Sequence, residues 1–127
     1  MKHETWRAHP LYPVDVSSAG RVRSHATGTV LRGFLTGGGS AGAANNYRKR
    51  PNTYRRFDMG RGYDVRYPAA HRLVLETFVG PGEGYEADHV NGDRQDNRLE
   101  NLRWVTPEDN RLFARLRREA STERSAL

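Results

Sequence analysis

Apolar positions along the chain fall into short patterns rather than one long repeat. Residues 11–25, LYPVDVSSAGRVRSH, alternate apolar and polar positions around Val14, Val16 and Val22, with a break at Ser17-Ser18-Ala19-Gly20. Alternation of period two marks a strand with one buried face, and a cluster of small residues marks a turn. The segment therefore predicts a hairpin. Side chains alternate along a strand, so Arg21 and Arg23 fall on one side of its second strand. Residues 29–35, TVLRGFL, offer a further strand. Residues 36–46, TGGGSAGAANN, hold nothing that could form a core and read as a flexible loop. After Pro68 the pattern changes: in AAHRLVLETFV, residues 69–79, Leu73, Val74 and Phe78 recur at helical spacing, and PGEG at 81–84 ends the helix.

From Asp88 the chain reads DHVNGDRQDNRLENLRWVTPEDNRLF. Asn91-Gly92 signals a turn, and the chain beyond it is too polar for a strand until Leu102-Arg103-Trp104-Val105. Thr106-Pro107-Glu108-Asp109 then has the form of a helix start. Threonine can cap, proline suits the first helical position, and acidic residues meet the positive end of the helix dipole. Leu112, Phe113 and Leu116 would give this helix its apolar face. The order is strand, long loop, strand, helix. The expected class is α+β: a small N-terminal antiparallel β module and a helix, followed by a ββα unit. The expected division is a basic β-rich module over residues 1–67 and a second module over 68–127.

Composition limits the size of the core. The chain has 127 residues, of which 35% are apolar, and its mean hydropathy is −0.88. No run of 18 apolar residues suggests a membrane span, and the first ten residues lack a secretory apolar stretch. Cysteine is absent, which excludes disulfides and thiolate metal sites. A cytoplasmic setting is the expectation.

Charge divides the chain more sharply than hydropathy does. The net charge of +6 lies entirely upstream of Asp88: residues 1–87 carry 13 basic and 7 acidic side chains, and residues 88–127 carry 8 of each. A basic region that grips a polyanion, followed by a near-neutral region with another task, fits this division. Of the 21 basic residues 19 are arginine, whose planar fork matches phosphates and guanine edges. Within residues 48–66, 7 basic side chains are interleaved with Tyr54, Phe57 and Tyr63, as phosphate contact with some stacking requires. Tyr47 and Tyr67 flank the stretch. In a small β-rich module most of these rings serve the core, leaving the arginines to contact the polyanion.

A helix that follows a two-stranded ribbon can aim one side chain at the end of the first strand. Asn110 is the candidate, and Asp88 and His89 occupy that strand end. Successive strand residues point opposite ways, so both reach one site only if the strand ends or bends there. The following Asn91-Gly92-Asp93 turn allows this.

These residues resemble the HNH nucleases, the ββα-metal or His-Me finger enzymes, and most closely the branch of phage and intron-encoded homing endonucleases. The resemblance rests on Asp88-His89, Gly92-Asp93, Asp96-Asn97, Asn101-Leu102, Trp104 and Asp109-Asn110, with AAHRLVLETFVG upstream. Residues 5–24, with their W…Y-x-V…G-R-V-R-S pattern, resemble the small module often fused to such nucleases. The stretch between is unmatched. The resemblance implies a DNA endonuclease in which His89 is the general base, a role contributing about 10²–10⁴-fold. It implies that Asp88 and Asn110 bind one divalent ion, Mg²⁺ or Mn²⁺, because oxygen donors suit hard cations. Many relatives carry histidine at the position of Asn110, so the motif here reads H-N-N. Asn101 is the expected middle residue, pinning the loop and orienting His89, with Asn97 as its rival. Without cysteines the unit depends on packing of Val90, Leu99, Leu102, Trp104, Val105 and Phe113, not on structural zinc.

Double-stranded DNA is the implied partner, bound through Arg21, Arg23, Arg48, Lys49, Arg50, Arg55, Arg56 and Arg72. The enzyme would nick or cut it as a monomer, or with a protein partner or second copy. Two other readings compete. A DNA-binding protein could keep the fold and lose cleavage, and an RNA-directed nuclease or toxin could share the motif. Plainer roles also exist for single residues. Asn97 and Asn101 could cap turns, His71 could bond locally within its helix, and His3, His9 and His25 look incidental.

Overall fold

The computed structural model describes residues 3–36 and 53–126. Strands β1 (Trp6–Ala8), β2 (Val14–Ser17) and β3 (Val22–Ser24) form one antiparallel sheet in that order. The expected hairpin is β2–β3, with Val16 opposite Val22 and Asp15 opposite Arg23. Val14, Val16 and Val22 are buried, whereas Asp15 turns outward to accept a bond from Arg23 Nη2 at 3.0 Å. Strand β1 adds an edge through Trp6–Ser17 and Ala8–Asp15 pairing. Its sequence alternates too briefly to announce it.

The 29–35 segment does not extend this sheet. Val30 makes one isolated bridge to Arg23. Strand β4 (Phe34–Thr36) pairs instead with β5 (Tyr54–Arg56). Apart from Thr36, the expected flexible loop 36–46 lies outside the described residues, as do Tyr47, Arg48, Lys49 and Arg50. From β5 the chain runs to helix α1 (Ala70–Phe78), strand β6 (Glu86–His89), a 3-10 turn at Leu99–Asn101, strand β7 (Leu102–Val105) and helix α2 (Pro107–Ala126). The ββα order read from the sequence is therefore present. Its last helix begins as expected, with Asp109 N donating to Thr106 Oγ1 at 3.1 Å.

One core joins the two expected modules. Tyr12, Val14, Val16, Val22 and Phe57 pack with Ala70, Leu73, Val74, Leu75 and Leu102. Helix α1 is the centre of this core, because its apolar stripe meets the three-stranded sheet on one side and the β6–β7 ribbon on another. Burying each of its leucines contributes about 1.5–3 kcal/mol. A second junction depends on a glycine. Gly20 turns with φ of +90° beside Asn97, and a Cβ there would lie 2.7 Å from the Asn97 carbonyl oxygen. Close by, Leu99 N donates to Ser18 O at 2.9 Å. The β2–β3 turn thus supports the long loop that leads into β7.

Two packing expectations need correction. Leu112 is 38% exposed and Leu116 48%, so of the three residues expected on the apolar face of α2 only Phe113 faces the protein. Its ring packs under the Arg103 guanidinium at 4.1 Å. Val90 is 46% exposed, because β6 ends at His89 and the chain has already turned. Nor is His9 incidental. It is buried, its Nδ1 accepts from Leu11 N and Tyr12 N, and its Nε2 meets Glu76 Oε1 at 3.0 Å. Among the described residues no helix is long and apolar enough to cross a membrane.

Candidate active site

In the β6–β7 ribbon Asp88 pairs with Arg103 and His89 with Leu102. Adjacent strand residues face opposite sides. Asp88 accordingly turns toward α2, and His89 turns toward α1 and β5. Directly beyond them the strand stops, with Gly92 N donating to His89 O at 2.9 Å. At this end both residues border one cavity of about 200 Å³, together with Tyr54, Arg94, Asn110, Arg111 and Arg117. Asp88, His89 and Asn110 therefore converge as the motif requires. Larger cavities, two of about 570 Å³ and one of about 380 Å³, lie elsewhere and contain none of the three; donor chemistry, not size, makes this one the candidate.

Asp88 and His89 are each only 5% exposed. A buried carboxylate needs partners, and Asp88 has two. Arg103 Nε donates to its Oδ2 at 2.9 Å, and Arg117 Nη2 stands 3.4 Å from both oxygens. Arg117 also donates to His89 O at 2.8 Å and Val90 O at 3.3 Å. It therefore caps the end of the ribbon, sharing the His89 carbonyl with Gly92 N. Asn110, at the mouth of the cavity, gives its amide nitrogen to Glu86 Oε2 at 2.7 Å, which leaves its carbonyl oxygen as a donor atom for a cation.

The His89 ring is held by Asn97, not by Asn101. His89 Nε2 lies 2.8 Å from Asn97 Oδ1 in a buried contact. Since a carbonyl oxygen accepts, Nε2 carries the proton and Nδ1 keeps its lone pair. Asn101 performs the other half of its expected work. Its Oδ1 accepts from Asn91 N at 3.0 Å, and its Nδ2 donates to Asn91 Oδ1 at 3.0 Å and Asp96 O at 2.9 Å. Asn101 thus pins the loop, and the loop presents Asn97. Asp96 braces the same turn. Its bond from Arg98, followed by one from Asn91, lowers its carboxyl to a pKa of about 2.

A cluster of rings backs the histidine. His71 stacks on His89 with centroids 4.9 Å apart and on Tyr54 at 5.1 Å. Arg94 lies over the Tyr54 ring at 5.0 Å, and Gln95 Nε2 donates to Thr53 O and Thr53 Oγ1. Burial, then the neighbouring His89 and the guanidiniums of Arg72, Arg56 and Arg94, lower His71 to a pKa of about 3.

The expected DNA-contacting arginines are more engaged than the sequence suggests. Arg21 pairs with Glu4, lowering that carboxyl to about 2; Arg23 pairs with Asp15. Both guanidiniums lie over Trp6, at 5.3 and 4.2 Å. Arg55 Nη1 donates to Arg32 O, and Arg56 bonds Thr36 Oγ1 and Tyr67 O. Arg72 covers the Trp104 ring at 4.9 Å and stands 3.8 Å from Glu76. None of these lines the cavity. Arg94, Arg111 and Arg117 do, and the motif did not single them out. Helical spacing carried part of the signal, because Asn110, Ala114 and Arg117 fall on one face of a helix.

Residues 68–112 match the family described as HNH endonuclease. The chain is 30% identical over 115 residues to an uncharacterized HNH endonuclease of Acanthamoeba polyphaga mimivirus, covering 86% of this chain and 25% of that protein. It is also similar to the solved structure of the HNH homing endonuclease I-HmuI, described for its DNA binding and cleavage. That likeness has a TM-score of 0.62 and 27% identity, over 97% of this chain and 60% of the other. The chain thus spans a quarter of the curated relative's length.

Proposed function

We propose, for a chain that residues 68–112 make a member of the HNH endonucleases, that it hydrolyses phosphodiester bonds of double-stranded DNA. The reading uses one divalent ion, Mg²⁺ or Mn²⁺, and His89 as general base. The observation that carries it is the meeting of Asp88, His89 and Asn110 on one cavity, with the His89 Nδ1 lone pair left open by the contact to Asn97.

The donor set fits a hard cation. Asp88 supplies carboxylate oxygen and Asn110 an amide oxygen, with no sulfur and no second imidazole to favour a softer metal. Among the described residues no cluster of three or more His, Cys, Asp or Glu side chains forms a closed cage. A site with two protein oxygens leaves room for a substrate phosphate. When bound there, the ion would neutralise charge on the phosphate and on the leaving 3′ oxygen.

The chain's own residues do the rest. His89 Nδ1 takes a proton from the attacking water as its oxygen bonds to phosphorus. The bond from phosphorus to the 3′ oxygen breaks, and that oxygen takes a proton from a solvent water, leaving 5′-phosphate and 3′-hydroxyl ends. Asn97 holds the imidazole in the tautomer this transfer needs, and Asn101 holds the loop that carries Asn97. Arg94 and Arg111 place positive charge at the cavity wall, where the scissile phosphate would lie. Arg48, Lys49, Arg50, Arg55 and Arg56 would grip the flanking backbone. Arg21, Arg23 and Arg72 would join them only by leaving Glu4, Asp15 and Glu76. Because phosphate contacts release counterions, binding weakens steeply with added salt. A phage-encoded or homing-type enzyme acting in a bacterial cytoplasm is the setting this reading favours.

Supercoiled plasmid incubated with Mg²⁺ or Mn²⁺ tests the reading. Wild-type protein should yield relaxed or linear DNA, and His89→Ala should bind the plasmid but leave it intact. Tight binding by wild-type protein without cleavage under either ion would instead identify a DNA-binding protein on a nuclease fold. A preference for RNA over duplex DNA would point to the ribonuclease alternative.

A further inference from the structure

A general base must present one nitrogen in one direction, and a single hydrogen bond cannot ensure that. The contact from His89 Nε2 to Asn97 fixes the ring within its plane, yet the ring can still tilt about that bond. Tilt is prevented only by something flat against the ring face. Helix α1 provides it. The His71 ring lies 4.9 Å from that of His89 with 27° between their planes, and Tyr54 lies 5.1 Å from His71 at 14°. Tyr54 and His89 also approach each other, with centroids 6.3 Å apart.

We propose that His71 is a positioning residue for the cleavage reaction: its imidazole, stacked against His89 and braced by Tyr54 beside both rings, fixes the plane of the His89 ring and so the aim of Nδ1. This rests on the reading of His89 as general base. His71 is not a ligand or proton carrier in this role, since it acts only through the ring it covers. It suits the task because it is neutral. Burial holds its pKa at about 3, so it adds no charge beside a group that must accept a proton. Its place is secured from below by α1, where the neighbouring Ala70, Leu73, Val74 and Leu75 are buried. Beside it stands Tyr54, which Arg94 covers and which follows Thr53, the partner of Gln95. The same cluster of rings therefore ties strand β5, with Arg55 and Arg56, to the base.

Single-turnover cleavage of saturating plasmid, DNA affinity, and the ¹⁵N spectrum of the His89 ring should be compared for wild type, His71→Ala and His71→Phe. His71→Ala should cleave about 10–100-fold more slowly, the scale of a reacting group misplaced by about an ångström, with affinity changed less than twofold. His71→Phe keeps a flat neutral ring and should recover most of the rate. In the spectrum His89 should stay the Nε2-protonated tautomer in all three proteins, since Asn97 sets it, while its ring signals should be sharp in wild type and broadened in the alanine variant as the ring samples several tilts. Unchanged rate and line width in His71→Ala would overturn the proposal. So would equal slowing in both variants, which would mark a packing role. The line width needs no cleavage, so it judges the stack even if wild-type protein cuts no DNA, an outcome that would defeat only the nuclease reading.

Discussion

Nε2 of His89 lies 2.8 Å from Oδ1 of Asn97, and Asn101 holds Asn97 in place without touching the ring. The two asparagines therefore divide one task into orientation and support. Asn97→Ala should lower the cleavage rate by about 100-fold through a misaligned base, with a stability loss of about 1 kcal/mol from the buried His89 N–H left without its acceptor. Asn101→Ala removes three hydrogen bonds from the Asn91–Asp96 loop and leaves a backbone N–H without its acceptor. It should cost about 2 kcal/mol or more in stability as well as activity. Urea unfolding beside single-turnover rates distinguishes them. A larger stability loss for Asn97→Ala than for Asn101→Ala would reverse the assignment.

The difference between these residues shows where sequence reasoning stopped. Asp88, His89 and Asn110 were legible because strand, turn and capped helix each leave a local signature, and three such elements in order bring the residues to one place. Which asparagine reaches His89 depends on the course of an irregular loop, set by side-chain bonds such as Asp93 N to Asn91 Oδ1. No periodicity records that course. For the same reason His71 looked like a helical residue with local bonds, since its contacts come from β5 and β6, far away in sequence. Leu112 and Leu116 misled in the opposite sense. Helical spacing identifies a stripe, but not whether anything covers it.

Gly20 offers a test of how far the N-terminal sheet serves the site. It combines φ of +90° with a close approach to the Asn97 backbone. Gly20→Ala would strain the turn and push on Asn97 directly, at a cost of about 1–3 kcal/mol. The cleavage rate of the folded fraction should fall as well, because Asn97 carries the contact to His89. If stability falls while that rate stays at the wild-type value, the turn supports the fold alone.

Arg117 reaches both Asp88 and the carbonyls that end β6. Arg117→Ala should slow cleavage at saturating ion by about tenfold or more, because the strand end loses its cap. Removing a positive charge beside Asp88 should at the same time strengthen cation binding, so the Mg²⁺ concentration giving half-maximal rate should fall. Arg117→Lys should restore part of the rate, since all of these contacts run through the single nitrogen Nη2, which one ammonium on a shorter side chain can replace in part. A rise in the half-maximal Mg²⁺ concentration for Arg117→Ala would count against this arrangement.

The stacked His71 also makes stability depend on pH. In the folded protein its pKa is about 3, whereas an unfolded histidine titrates near 6.5. Above pH 6.5 the group is neutral in both states and contributes nothing to the pH dependence. Between about 6.5 and 3 the unfolded chain binds a proton that the folded chain refuses, so stability falls as pH falls, with a limiting slope of about 1.4 kcal/mol per pH unit. The groups facing the ring have the same sense: His89 on β6, Arg72 on α1, Arg56 on β5 and Arg94 in the loop all disfavour a charge there. Glu4 and Asp96, both lowered to about 2, work at lower pH. Each stabilises the fold above the ordinary carboxylate pKa, and that contribution is lost as pH falls toward 2. The window from pH 5 to 6.5 therefore separates the histidine from both. Urea unfolding of wild type and His71→Phe at pH 7 and pH 5 should show the wild type losing the more stability, because phenylalanine takes up no proton. Equal losses would mean that the His71 ring is not held neutral by its surroundings.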